Sequence, residues 1–362
     1  NYKFSEEKKD VTGSTKFTPT ESNGTVDVTF MFDGSELKGK STVAFEDLTF
    51  NEVSIAEHTD IKDEGQTVHY PEIKTTAKDS ETGSHTSMAD NDVTVVDTVK
   101  YTNLIPNKEY KIAGKLMVKE TKEPLLVDGK EVTASTTFTP EKADGSIDLT
   151  FKFDGSALKG QTLVVFEDVL YEDVSVGSHE DINDTDQSIY FPNIGTTATD
   201  KADGDHSITA AKQVTIVDKV EYKNLAPGEK HHVKGTLMDK ATGKALMVNG
   251  KEVTAEAEFT PDKSEGSVNV EFTFNAKDLG GKDLVVFEKM YDANGNEVAN
   301  HEDINDEGQS VKIVKAPVTP SKTPVTPTKV QTGDHATMYV LLGVAVILLL
   351  GGGVMVFKKK KK

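Results

Sequence analysis

The phrase Phe17-Thr18-Pro19 returns as Phe138-Thr139-Pro140 and again as Phe259-Thr260-Pro261, a period of 121 residues at both steps. Phe30-Met31-Phe32 recurs in register as Phe151-Lys152-Phe153 and Phe272-Thr273-Phe274. Val43-Ala44-Phe45-Glu46 recurs as Val164-Val165-Phe166-Glu167 and Val285-Val286-Phe287-Glu288. A unit of this length can bury its own core, so the pattern specifies tandem domains and not a solenoid of short stacked motifs. The expected boundaries are 1–70 for the carboxyl-terminal part of one unit, and 71–191 and 192–315 for two whole ones. The first unit lacks the segment that opens the others, and the chain carries neither an initiator Met nor a signal peptide. It is therefore read as the end of a longer protein.

Each unit reads as β. Ile147, Leu149, Phe151 and Phe153 alternate with Asp148, Thr150 and Lys152, and Asp144-Gly145 and Asp154-Gly155 mark the turns at either end. Val26, Val28, Phe30 and Phe32 repeat the alternation, as do Val268, Val270, Phe272 and Phe274, while Leu163 to Phe166 is apolar on both faces and reads as a central strand. Short strands without a convincing amphipathic helix predict an all-β fold of tandem immunoglobulin-like β-sandwich domains. Cysteine is absent, which excludes disulfides, thiolate metal sites and cysteine nucleophiles. Without its five terminal lysines the chain carries a net charge of −24, which excludes nucleic acid as a partner.

The carboxyl end supplies an address. A Pro/Thr-rich stretch, 316–330, predicts an extended linker. The uncharged run 338–357, MYVLLGVAVILLLGGGVMVF, is long enough for one transmembrane helix, and Lys358 to Lys362 hold its far end in the cytoplasm. The permanent single-pass anchor is the simpler alternative. Gln331, Thr332, Gly333 and Asp334 precede the span, and this order of polar motif, apolar span and basic tail (331–362) resembles the cell-wall sorting signals of Gram-positive surface proteins. The resemblance implies cleavage by a sortase after Thr332 and attachment of that threonine to peptidoglycan. Lys329-Val330 stands where that family has Leu-Pro.

A polar constellation repeats with the fold. His58, Asp63 and Gln66 recur as His179, Asp184 and Gln187 and as His301, Asp306 and Gln309, each set following a strand-ending glutamate: Glu46, Glu167 and Glu288. A carboxyl closing an apolar run is costly to bury ionised, so the glutamate is expected to hold a proton and to share it with the aspartate. Alternation in Ile73-Lys74-Thr75-Thr76-Ala77-Lys78 turns Thr75 inward and Thr76 outward, and the same parity selects Thr196 over Thr197. Thr98 is a poorer nucleophile, because its counterpart is Lys219.

These strands and residues resemble the Thr-Gln ester-bond domains of Gram-positive adhesins and pilus-like shafts, also called VaFE repeats, over nearly the whole of 1–315. The resemblance implies that Thr75 joins Gln187 and Thr196 joins Gln309, with the Glu, His and Asp of each unit in support, and that Gln66 stays unbonded because its threonine strand is missing. It implies a self-made cross-link with no cofactor, no metal and no turnover. The expected chemistry has histidine take the threonine proton while an acid polarises the carboxamide. A zinc or hydrolase site, a calcium loop at Asp181 to Asp186 and a Lys–Asn isopeptide are the alternatives. The function expected is a wall-anchored stalk presenting an amino-terminal head to a host matrix protein or glycan. The alternatives are repeats that themselves bind such ligands, which no aromatic cluster or basic patch favours, and an enzyme on external substrates.

Overall fold

The computed structural model describes residues 3–4 and 9–317. The linker from residue 318 on, the 331–334 motif, the 338–357 span and the lysine tail lie outside the described residues.

In the second repeat, strands Gly145–Phe153, Val93–Thr102 and Glu72–Asp79 form an antiparallel three-stranded sheet in that order. A second sheet is built on Thr162–Tyr171, flanked by Tyr110–Val118 on one side and by Val174–His179 and Ser188–Tyr190 on the other. The third repeat matches it, with Asn193–Asp200, Val214–Lys223 and Gly266–Phe274 in one sheet and Asp283–Tyr291 central in the other. Side chains from both inner faces meet in one apolar core per repeat, around Phe151, Val95 and Leu163 in the second and Phe272, Ile216 and Leu284 in the third. Leu163, Val164 and Val165 are all fully buried, as their double-faced apolarity predicts.

The first repeat departs from expectation at Val26–Phe32, because residues 11–34 form no strand. In the complete repeats the equivalent strand is held by the partner in which Val95 faces Phe151. Among the described residues of the first repeat no equivalent ladder forms, and an alternating segment becomes a strand only when its backbone groups find one. The central strand is likewise divided into Lys40–Val43 and Glu46–Phe50, each paired with only one neighbour.

Gly114 and Gly235 sit directly across from Glu167 and Glu288. A Cβ on Gly235 would lie 2.4 Å from Phe272 Cζ, and one on Gly114 would lie 2.8 Å from Phe151 Cζ. The missing side chain lets an aromatic ring lie against the strand beside each glutamate and keeps water from it. Gly235→Ala is expected to destabilise the third repeat by about 1–3 kcal/mol through overpacking. Gly195→Ala, where nothing lies within 4 Å of the added atom, should shift stability by less than about 0.5 kcal/mol in the same chemical denaturation.

Candidate functional site: a buried Thr–Gln pair between two sheets

Strand Glu72–Asp79 turns Ile73, Thr75 and Ala77 inward and leaves Lys74 and Lys78 exposed, as the alternation predicts. Two backbone bonds then bring Gln187 to it. The Ala77 N–H donates to Asp186 O (2.9 Å), tying the first strand to the last loop, and the Val165 N–H donates to Gln187 O (3.1 Å). In the third repeat the Ala198 N–H donates to Gly308 O (2.9 Å) and the Val286 N–H to Gln309 O (3.1 Å). Both glutamines are wholly buried.

The side chains meet in the third repeat. Gln309 Nε2 donates to Thr196 Oγ1 and to Glu288 Oε2, while Thr196 Oγ1 donates to Glu288 Oε2 at 3.3 Å. In the second repeat the Thr75 hydroxyl and both polar atoms of Gln187 are buried without a hydrogen-bond partner. Unpaired groups of this kind cost about 1–3 kcal/mol each in a dry interior.

Burial pushes both glutamate carboxyls toward the protonated form, but the aspartate set against each is not the expected one. Asp184 and Asp306 bond the histidines. The carboxyls set against Glu167 and Glu288 are Asp97 and Asp218, both fully buried. Asp97 lies across from Ala77 and Asp218 across from Ala198, on the inner face of the three-stranded sheet. Two ionised carboxylates are both acceptors, so the contact between Asp97 and Glu167 becomes a bond only when one of them keeps a proton. Burial first, and then the Asp97 charge, pushes Glu167 up to about 10; burial, together with Asp218, pushes Glu288 up to about 11. Burial raises Asp97 and Asp218 as well. Each pair therefore holds one proton at neutral pH. Sequence parity carried this signal: Asp97 falls among Val93, Val95 and Val99 on an otherwise apolar face, and Asp218 falls likewise among Val214, Ile216 and Val220.

Antiparallel register sets His179 opposite Glu167 and His301 opposite Glu288. His179 Nε2 lies 2.7 Å from Asp184 Oδ2, and His301 Nε2 lies 2.9 Å from Asp306 Oδ2. The other carboxylate oxygen of each aspartate accepts a backbone N–H two residues on, from Asp186 (2.8 Å) or Gly308 (2.7 Å). Burial raises the Asp306 carboxyl, but the Gly308 N–H and His301 outweigh it and leave it below its ordinary value. His301 Nδ1 faces Ile194 O at 3.3 Å, so both ring nitrogens meet acceptors and neither touches Thr196. The expected histidine–threonine contact is thus replaced by one from threonine to glutamate.

The first repeat keeps half of this arrangement. Glu46 pairs in register with His58, and His58 Nε2 lies 2.7 Å from Asp63 Oδ2. Gln66 closes the short helical turn Glu64–Gln66 and is half-buried. Among the described residues no cluster of His, Asp and Glu is arranged to hold a metal ion.

Paired sheets joined through a buried threonine, glutamine and shared-proton carboxyl pair define a β-sandwich equipped to cross-link itself. The model of the T-Q ester bond containing domain matches residues 3–70, 71–191 and 192–313, and the chain belongs to that family. The LPXTG cell wall anchor motif matches residues 331–362. No curated protein matches. Among solved structures, a bacterial adhesin from Mobiluncus mulieris containing intramolecular disulfide, isopeptide and ester bond cross-links is 16% identical, with a TM-score of 0.28. That match covers 60% of this chain and 80% of the adhesin. A red sea bream transglutaminase is 10% identical with a TM-score of 0.23, covering 70% of this chain and 32% of its own. At TM-scores this low the assignment rests on the family models. The protein is a cell-wall-anchored, extracellular surface protein of a Gram-positive bacterium, attached to peptidoglycan through sortase, and its body is a stalk of ester-bond domains.

A carboxyl raised in the folded state keeps a proton that the unfolded chain has released, so raising the pH between the two values favours unfolding. In a Thr75→Ala chain, which cannot close that bond, the second repeat should lose stability from about pH 5 to about pH 9, at up to about 1.4 kcal/mol per pH unit. Adding Glu167→Gln should flatten the slope, as read by urea denaturation across pH.

Proposed function

We propose that Thr75 is joined to Gln187, and Thr196 to Gln309, by intramolecular esters that make each complete repeat inextensible, and that the repeats serve as a load-bearing stalk. The observation that carries this reading is the third-repeat geometry, in which one carboxylate oxygen, Glu288 Oε2, accepts from both the hydroxyl that would attack and the amide nitrogen that would leave.

The arrangement supports a balanced exchange. Thr196 Oγ1 bonds to the Gln309 carboxamide carbon, the C–N bond breaks, and the hydroxyl proton passes through Glu288 Oε2 to the departing nitrogen, which leaves as ammonia. Asp218 shares the retained proton with Glu288 and supplies the acid that a carboxamide needs to become electrophilic. Holding both groups on fixed strands contributes an effective molarity of order 10⁵ M or more. His301 and Asp306 act on position: their bonds fix the last loop, and with it Gln309, against the first strand. Glu167, Asp97, His179 and Asp184 take the same parts in the second repeat. Glu46, His58 and Asp63 would do so around Gln66, whose threonine is not in this chain. Dryness protects the product, since an ester lasts only where water is excluded. Each site acts once and turns over no external substrate.

Intact mass of the chain should show a deficit of two ammonia equivalents. Thr75→Ala and Thr196→Ala should each restore one, and Glu288→Gln should restore the third repeat's alone. A folded chain at its full encoded mass would contradict the assignment.

A further inference from the structure

Asn103 and Asn224 occupy equivalent places one period apart, directly after strands Val93–Thr102 and Val214–Lys223, and both adopt left-handed backbone, with φ of 63° and 60°. Asparagine tolerates this conformation better than most residues. Both side chains reach back across the joint into the preceding repeat. Asn103 Nδ2 donates to Lys40 O, and Asn103 Oδ1 accepts from Ser41 Oγ (3.1 Å) beside His69 Nδ1 (3.1 Å). Asn224 Nδ2 donates to Gln161 O and to Phe191 O (3.3 Å), and Asn224 Oδ1 accepts from Thr162 Oγ1 (2.7 Å).

The acceptor end is spelled as glycine, any residue, then hydroxyl: Gly39-Lys40-Ser41 and Gly160-Gln161-Thr162. Duplication alone would copy it into the third repeat, but there the sequence is Gly281-Lys282-Asp283. Lys282 Nζ instead binds Asp239 of its own repeat, and Gly280 is backed by Lys315, whose Cγ would lie 2.9 Å from an added Cβ. The third repeat is the one followed by the Pro/Thr-rich linker and not by another sandwich.

We infer that Asn103 and Asn224 are the docking residues of a head-to-tail interface, which accepts a preceding repeat that carries Gly-x-Ser/Thr at the start of its central strand and fixes its orientation, and that Lys282, Asp283 and Lys315 close this interface at the end of the array. Adjacent domains on a short connection ordinarily move relative to one another. Here an amide bonded on both of its faces to the neighbouring repeat opposes that motion. The second joint adds Thr86 Oγ1 donating to Glu229 Oε2 (3.4 Å) and Asn296 Nδ2 donating to Thr82 O (3.5 Å), again between successive repeats. The interface does not require the esters to form.

The chain has no cysteine, so Lys130→Cys and Lys251→Cys, both at exposed hairpin positions, can carry one spin label in each complete repeat. Pulsed dipolar spectroscopy of the full chain in detergent should give a narrow distance distribution. Asn224→Gly keeps the left-handed backbone accessible and removes the amide; it should make the distribution roughly twice as wide. Thr162→Val removes the hydroxyl without touching Asn224 and should widen it by a smaller amount. A distribution as narrow as that of the parent chain in both folded variants would overturn the inference.

Discussion

Two carboxyl groups from opposite sheets, Asp97 with Glu167 and Asp218 with Glu288, meet where water does not reach, and such a pair is tenable only by holding a proton between its members. Most features of the complete repeats can be traced to this constraint. The glycine across from each glutamate admits the aromatic ring that keeps the pair dry. The first strand is bonded to the last loop, so threonine and glutamine arrive beside the pair. An interior arranged in this way is a poor place for a hydroxyl and a carboxamide, and bonding them covalently removes donors that the fold leaves unsatisfied.

Position turns that local chemistry into a mechanical property. Thr75 and Gln187 stand near the two ends of their repeat, with 111 residues between them, so a bond between them carries tension past the whole sandwich. The nine positions from Gln187 to Thr196 would otherwise be the extensible part of the stalk. They are not a loose tether, because Ser188–Tyr190 and Asn193–Asp200 are already strands and Asn224 bridges the two repeats. Stiffness within a repeat and stiffness between repeats would thus come from separate devices, the proposed ester and the asparagine bridge.

Much of this was legible in the sequence, for identifiable reasons. The 121-residue period exposed the repeats, and strand parity separated Thr75 from Thr76 because a pleated strand alternates its faces. The aspartate five residues after each histidine was visible but misassigned: sequence proximity suggested the glutamate's partner, whereas the turn spends that carboxylate on histidine and a backbone N–H. Asp97 was written into the inward parity of a valine strand, but its neighbour across the core lies 70 positions away, and only the packing of two sheets brings it there. The Val26–Phe32 alternation has no strand to match it, since a periodic segment needs a partner ladder before it becomes one.

Stretching single molecules of the full chain between its ends tests the covalent account most directly. If the esters span the complete repeats, neither should release its shielded loop, and the length gained under load should come only from the first repeat, the joints and the tail. Extension steps of roughly 400 Å, the reach of about 111 extended residues, in the unaltered chain would contradict it.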